Sequence, residues 1–216
     1  MVAIVDYGVG NLFSLQSSFE AIGTEVTVTA DRETIARSDS IILPGVGAFE
    51  DAAKKLRFSG LADFICEQAG LGKPLLGICL GMQLLFDKSC EYGEHEGLGL
   101  IHGTVRPIAD VAPAGYKIPH IGWNALHFTK PNDLFAGLNE GDCVYFVHSY
   151  YATDCEAAVI ATTEYGAALT AAVASGNVFG CQFHPEKSGE VGLKILKAFS
   201  EMKGESHADI SCNRSV

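Results

Sequence analysis

Pro74-Leu-Leu-Gly77-Ile-Cys79-Leu-Gly81-Met-Gln83 sets one cysteine between two glycines, where an apolar run gives way to a helical pattern. Leu75 to Ile78 read as a buried strand and Leu80 opens a helix, so Cys79 stands on a strand-turn-helix elbow. Gly77 and Gly81 leave room for a sharp turn that side chains would crowd. At a helix start, free N–H groups and the macrodipole favour a thiolate, the reactive form of the residue. A packed, inert thiol is the other reading of any cysteine in an apolar run.

Upstream of the elbow, strands and helices alternate. Val2 to Val5 form a first strand, followed by a helix with Leu12, Leu15, Phe19 and Ile22 on one face and Gly23 at its end. Strands are expected at Glu25 to Thr29 and Ser40 to Leu43, with a short helix near Glu33 to Arg37 between them. Helices from about Phe49 and over Leu61 to Ala69 lead into the elbow strand. This alternation predicts an α/β fold: an open, mostly parallel, doubly wound sheet with helices on both faces. Ligands of such sheets bind beyond the carboxyl ends of the strands, where Cys79 falls.

Beyond Asp87 the apolar runs crowd together without helical spacers, at Leu100 to Val105, Ile121 to Phe128, Val144 to Val147, Ala158 to Thr162, Leu169 to Ala174 and Val178 to Phe183. Antiparallel hairpins or a mixed sheet are expected there. A last helix starts near Ser188 and buries Val191, Ile195, Leu196 and Phe199. Residues 1–204 read as one domain, and 205–216 as a disordered tail.

Gly180-Cys-Gln-Phe-His184-Pro-Glu186-Lys-Ser188 supplies a partner for the cysteine, about a hundred residues downstream. In an extended segment, side chains two apart face the same way. His184 can then take the thiol proton while Glu186 fixes the imidazole tautomer, with Pro185 stiffening the pair. A His-x-Glu alone is equally a solvated loop. Joined to a glycine-flanked cysteine, it makes a Cys-His-Glu triad.

Gly77-Ile-Cys79-Leu-Gly81-Met-Gln83 followed by Phe183-His184-Pro185-Glu186 resembles the triad-type, or class I, glutamine amidotransferases. Asp6-Tyr-Gly-Val-Gly-Asn11, Pro44-Gly-Val-Gly-Ala-Phe49, Pro119-His-Ile-Gly-Trp-Asn124 and Tyr145-Phe-Val-His-Ser-Tyr150 extend the resemblance from about residue 2 to about 203. They narrow it to the members that feed ammonia to a (β/α)8-barrel cyclase of histidine biosynthesis, which makes imidazole glycerol phosphate and aminoimidazole carboxamide ribotide. The resemblance implies a glutaminase with Cys79 as nucleophile, His184 as base and then acid, and Glu186 as its orienter. Backbone N–H groups of Leu80 and of Val46 or Gly47 are the expected oxyanion donors. It further implies that Gln83, Ser149 and Tyr150 hold the glutamine backbone groups, and that Asn11, Trp123, Tyr145 and Lys187 face the cyclase in a heterodimer. Trp123 can also be read as a core residue, and Pro44 to Gly47 as a plain glycine turn. An amidotransferase with a different acceptor partner and a catalytically silent regulatory module are the competing assignments.

The net charge of -11 argues against nucleic-acid and anionic-membrane partners, both of which attract basic surfaces. Seven cysteines without a C-x-x-C pair or a secretory leader suit a reducing cytoplasm. No cofactor and no metal is expected. Gly8-Val-Gly10-Asn-Leu-Phe13 lacks the third glycine of a dinucleotide site, and Leu71-Gly-Lys73-Pro74 lacks the hydroxyl of a phosphate loop. The remaining histidines lack metal-ligand spacing.

Overall fold

Short runs of fully buried apolar residues build the centre of the molecule, described for residues 1–204 by a computed structural model. The tail expected at 205–216 lies outside the described residues. Four strands and five helices make the first half: β1 (Val2–Val5), α1 (Leu12–Ala21), β2 (Val26–Thr29), α2 (Arg32–Arg37), β3 (Ser40–Leu43), α3 (Phe49–Phe58), α4 (Leu61–Gly70), β4 (Leu75–Ile78) and α5 (Leu80–Leu84). The second half holds β5 (Phe86–Ser89), β6 (His95–Glu96), β7 (Ile101–Pro107), β8 (His120–Ala125), β9 (His127–Phe128), β10 (Cys143–His148), β11 (Tyr150–Thr153), β12 (Val159–Glu164), β13 (Ala168–Ser175), β14 (Val178–Cys181) and α6 (Gly189–Glu201).

The main sheet runs β2-β1-β3-β4-β14-β13-β12-β9. Its first five strands are parallel, and the other three add on antiparallel. Successive side chains go to opposite faces. Ala3, Val5, Ile41, Leu43 and Leu75 meet α2, α3 and α4 through Ile35, Phe49, Leu56 and Ile65. Val2, Ile4, Ile42, Leu76 and Ile78 meet α1 and α6 through Leu15, Phe19, Ile195, Leu196 and Phe199. This is the doubly wound arrangement expected, and double-sided cover explains why the inner strands are uninterrupted apolar runs. The β2 edge strand alternates valine with threonine and is only half-buried.

Two accessory sheets flank the carboxyl ends of the parallel strands. One is β11-β7-β5-β6, and the other is the antiparallel β8-β10 ribbon. The run read as one strand over 121–128 is in fact broken at Leu126. That residue is fully buried and its N–H donates to Asp142 O at 3.0 Å, so β8 goes to the ribbon and β9 to the main sheet. In α6, Val191 is half-buried instead of buried, and Gly192 faces inward. A Cβ at Gly192 would stand 1.9 Å from Pro185 O, so the helix rests directly on the turn that follows His184.

Candidate active site

Cys79 links β4 to α5 with φ 55 and ψ -112, a conformation that costs a non-glycine residue on the order of 1–3 kcal/mol. Tight contacts around the elbow hold it there. A Cβ at Gly77 would lie 2.6 Å from Gly81 O, and one at Gly81 would lie 1.9 Å from Leu43 O. The glycines bracketing the cysteine thus let β4, α5 and the end of β3 close on one another. The Cys79 N–H donates to Cys181 O at 2.7 Å, tying the elbow to β14. Because α5 is only five residues long, the macrodipole it presents to Cys79 is small. As the first residue of α5, Leu80 has an N–H without an intrahelical acceptor.

His184 and Glu186 meet in a different way from the one the spacing suggests. The segment is not extended there; Pro185–Lys187 form a 3-10 turn with His184 as its cap. Proline opens such a turn readily, since its φ is preset and its missing N–H would have no partner. The turn brings Glu186 Oε1 to 2.8 Å from His184 Nδ1, with both side chains almost wholly buried. Burial pulls the imidazole pKa down. Hydrogen bonds to Cys79 and Glu186, and the negative charge of both, outweigh it and raise the value to about 10. Burial pushes the thiol of Cys181 up, and it packs in the core at 0% exposure.

The turn is fastened to the ribbon by three bonds. His184 N–H donates to Tyr145 O at 2.9 Å, Tyr145 N–H donates to Ser188 Oγ at 3.0 Å, and Ser188 Oγ–H donates to His184 O at 2.7 Å.

A pocket of about 280 Å³ opens over the elbow and includes Cys79, Leu80, His184, Val46 and Gly47. Gln83, Ser149 and Tyr150 line it as well. The Gln83 amide already donates to Tyr150 O at 3.2 Å and Gln182 Oε1 at 3.0 Å, so its N–H groups brace the wall. Three lining or bracing residues escaped the reading of the sequence. Glu91 contributes the one carboxylate among the described lining residues and accepts from the Phe49 N–H that starts α3. The fully buried Gln182 joins Gln83 to Cys79, its Nε2 standing 3.8 Å from the sulfur. His148 donates from Nδ1 to Tyr150 O and accepts at Nε2 from His120 Nδ1, each at 2.9 Å. Burial first, then the charges of His120 and His184, lower the His148 pKa to about 3 against the opposing Tyr150 bond, so the residue stays neutral. Only Glu91 left a trace in the sequence, as an acidic residue closely following the elbow helix.

The four residues expected to face a partner are partly exposed at this same end of the sheet. Trp123 is 54% exposed and meets Tyr145 edge-on at 6.0 Å between ring centroids. Lys187 Nζ lies 5.9 Å from the Tyr145 ring centroid. Asn11 caps α1 without a side-chain bond, leaving its amide free for another acceptor. Trp123 is therefore not a core residue. A larger cavity of about 540 Å³, bordered by Gly72, Pro74, Asn177 and Met202, lies at the opposite end of the sheet, away from this chemistry.

The family model for class-I glutamine amidotransferases matches residues 3–202. The imidazole glycerol phosphate synthase subunit HisH of Geobacillus sp. (strain WCH70) is 50% identical over 205 residues, covering 94% of this chain and 97% of the relative. The subunit of the same name from Caldanaerobacter subterraneus subsp. tengcongensis is 50% identical over 203 residues, covering 94% and 98%. A crystal structure of a glutamine amidotransferase superposes with a TM-score of 0.72 at 20% identity, covering 92% of this chain and 99% of that one.

Proposed function

We propose a function from one premise: the chain belongs to the class-I glutamine amidotransferase family. It hydrolyses L-glutamine to L-glutamate and ammonia as the glutaminase subunit of imidazole glycerol phosphate synthase, in histidine biosynthesis. The observation that carries the site assignment is that Cys79 and His184 line one pocket over the elbow, with Glu186 bonded to His184 Nδ1 from behind it.

In our reading, the Cys79 thiolate attacks the side-chain amide carbon of glutamine, and the N–H groups of Leu80 and of Val46 or Gly47 receive the oxyanion. Because the proton already resides on His184, the first catalytic act of the imidazole is to give it to the departing ammonia. A glutamyl thioester remains. Water, deprotonated by the now neutral His184, attacks the thioester carbon, the C–S bond breaks to return the Cys79 thiolate beside protonated His184, and the product leaves as glutamate after its carboxyl proton passes to solvent. Glu91 receives the α-ammonium group, while Ser149 and Tyr150 receive the α-carboxylate. Asn11, Trp123, Tyr145 and Lys187 face a cyclase of (β/α)8-barrel fold, and ammonia passes to it without protonation in bulk water.

Gly47 has φ +92 and open space around a built Cβ, so its peptide is free to turn. An N–H here turns towards the substrate once the partner docks. The test mixes the purified chain with the barrel cyclase and its nucleotide ligand and measures glutamate release. We expect release that is weak without the cyclase, strong with it and absent for Cys79→Ala. No Cys79-dependent glutamate in the complete mixture would sink the assignment.

A further inference from the structure

We propose that Tyr7 is a positioning residue for the oxyanion turn, fixing Pro44 so that reorientation is confined to the peptides around Val46 and Gly47. The inference rests on the glutaminase reading and adds a residue to it. Tyr7 stands in the loop after β1, 6% exposed, and its hydroxyl donates to Pro44 O at 2.7 Å. Behind the Pro44 ring there is no slack, since a Cβ at Gly10 would fall 2.8 Å from Pro44 Cβ. Gly45 is equally confined, with a built Cβ 2.6 Å from Gly81 N. The first half of the turn is therefore pressed between the loop after β1 and the elbow itself.

The far end is anchored too, by the Glu91 carboxylate on the Phe49 N–H. Between these anchors Gly47 is the loose point. Pinning at both ends confines any turning to the central peptides, where a donor that switches needs it. Burial, and then the nearby Cys79 charge, raise the phenol pKa well above its usual value, so Tyr7 remains an O–H donor at every working pH. Phenylalanine would keep the ring packing and remove only the hydrogen bond, leaving a buried carbonyl unpaired.

The experiment compares the parent with Tyr7→Phe. With the cyclase present, we expect kcat to fall roughly threefold to tenfold with KM within about twofold, the signature of a donor that acts in the transition state. Independently of activity, the 15N order parameter of Gly45, the confined residue next to Pro44, should fall from about 0.85 towards about 0.6 while that of Ile160, deep in the main sheet, does not change. An unchanged order parameter at Gly45 overturns the proposal whether or not the chain is a glutaminase. An equal fall at Ile160, or a lower melting temperature with kcat intact, assigns Tyr7 to general stability and also overturns it. A parent that releases no glutamate, combined with a fall at Gly45 alone, removes the functional reading and keeps Tyr7 as the residue that fixes Pro44.

Discussion

His184 carries a proton at neutral pH because Cys79 and Glu186 outweigh the burial that disfavours its charge. The sign of the resulting pH dependence is fixed. The folded-state pKa of about 10 lies above the ordinary 6.5, so the stabilisation is complete below about pH 6.5 and is lost as pH rises through about 10. Glu186→Gln removes one of the groups that raise the value. Thermal melts between about pH 6 and 10 should therefore start lower for the variant and decline less steeply than for the parent. Equal slopes would mean that Glu186 does not support the imidazolium. Legibility at this scale followed covalent neighbourhood. The glycines around Cys79 and the proline between His184 and Glu186 are local marks of turns that display side chains. Gln182 and His148 act through bonds across the fold to Gln83, His120 and Tyr150, and spacing along the chain contains no trace of such contacts.

Among the elements, the Pro185–Lys187 turn and the β8-β10 ribbon behave as one part, since Tyr145 and Ser188 bond to each other and both bond to His184. Ser188→Ala strands the Tyr145 N–H and the His184 carbonyl in a buried setting, at a cost of roughly 1–3 kcal/mol. We expect a melting temperature lower by several degrees and slower glutaminase turnover, with Ser188→Thr recovering part of both. Melting and turnover measured on the two variants check this, and full activity in Ser188→Ala would separate the turn from the ribbon. The parallel half was readable because covered strands are apolar throughout and glycine or proline ends them. The accessory strands β5, β6 and β11 were not, since Phe86-Asp-Lys-Ser and His95-Glu96 present mixed, partly exposed surfaces with no period. The break at Leu126 is likewise invisible in an apolar run, because both halves are strands and only their destinations differ.

At the level of the whole molecule, Cys79, His184 and Glu186 share one end of the sheet with the exposed aromatic face, and the β8-β10 ladder joins them. Trp123 pairs with Tyr145 in register, and three rungs further His120 pairs with His148 beside the pocket. Trp123→Ala should weaken binding of the cyclase by about 2 kcal/mol, roughly thirtyfold in Kd, and leave the melting temperature of the isolated chain within a degree or two. Calorimetric titration reads the first, and an unchanged Kd would place the interface elsewhere. Strand order also bears on how the protein is made. β14 enters the sheet between β4 and β13 about a hundred residues after β4 has been synthesised. Until Val178–Cys181 leave the ribosome, β4 has an unpaired edge, the Cys79 N–H lacks its acceptor, and His184 has not emerged. A nascent chain therefore carries the thiol beside an apolar edge that invites misassembly, and the site can close only after β14 and the turn beyond it have emerged.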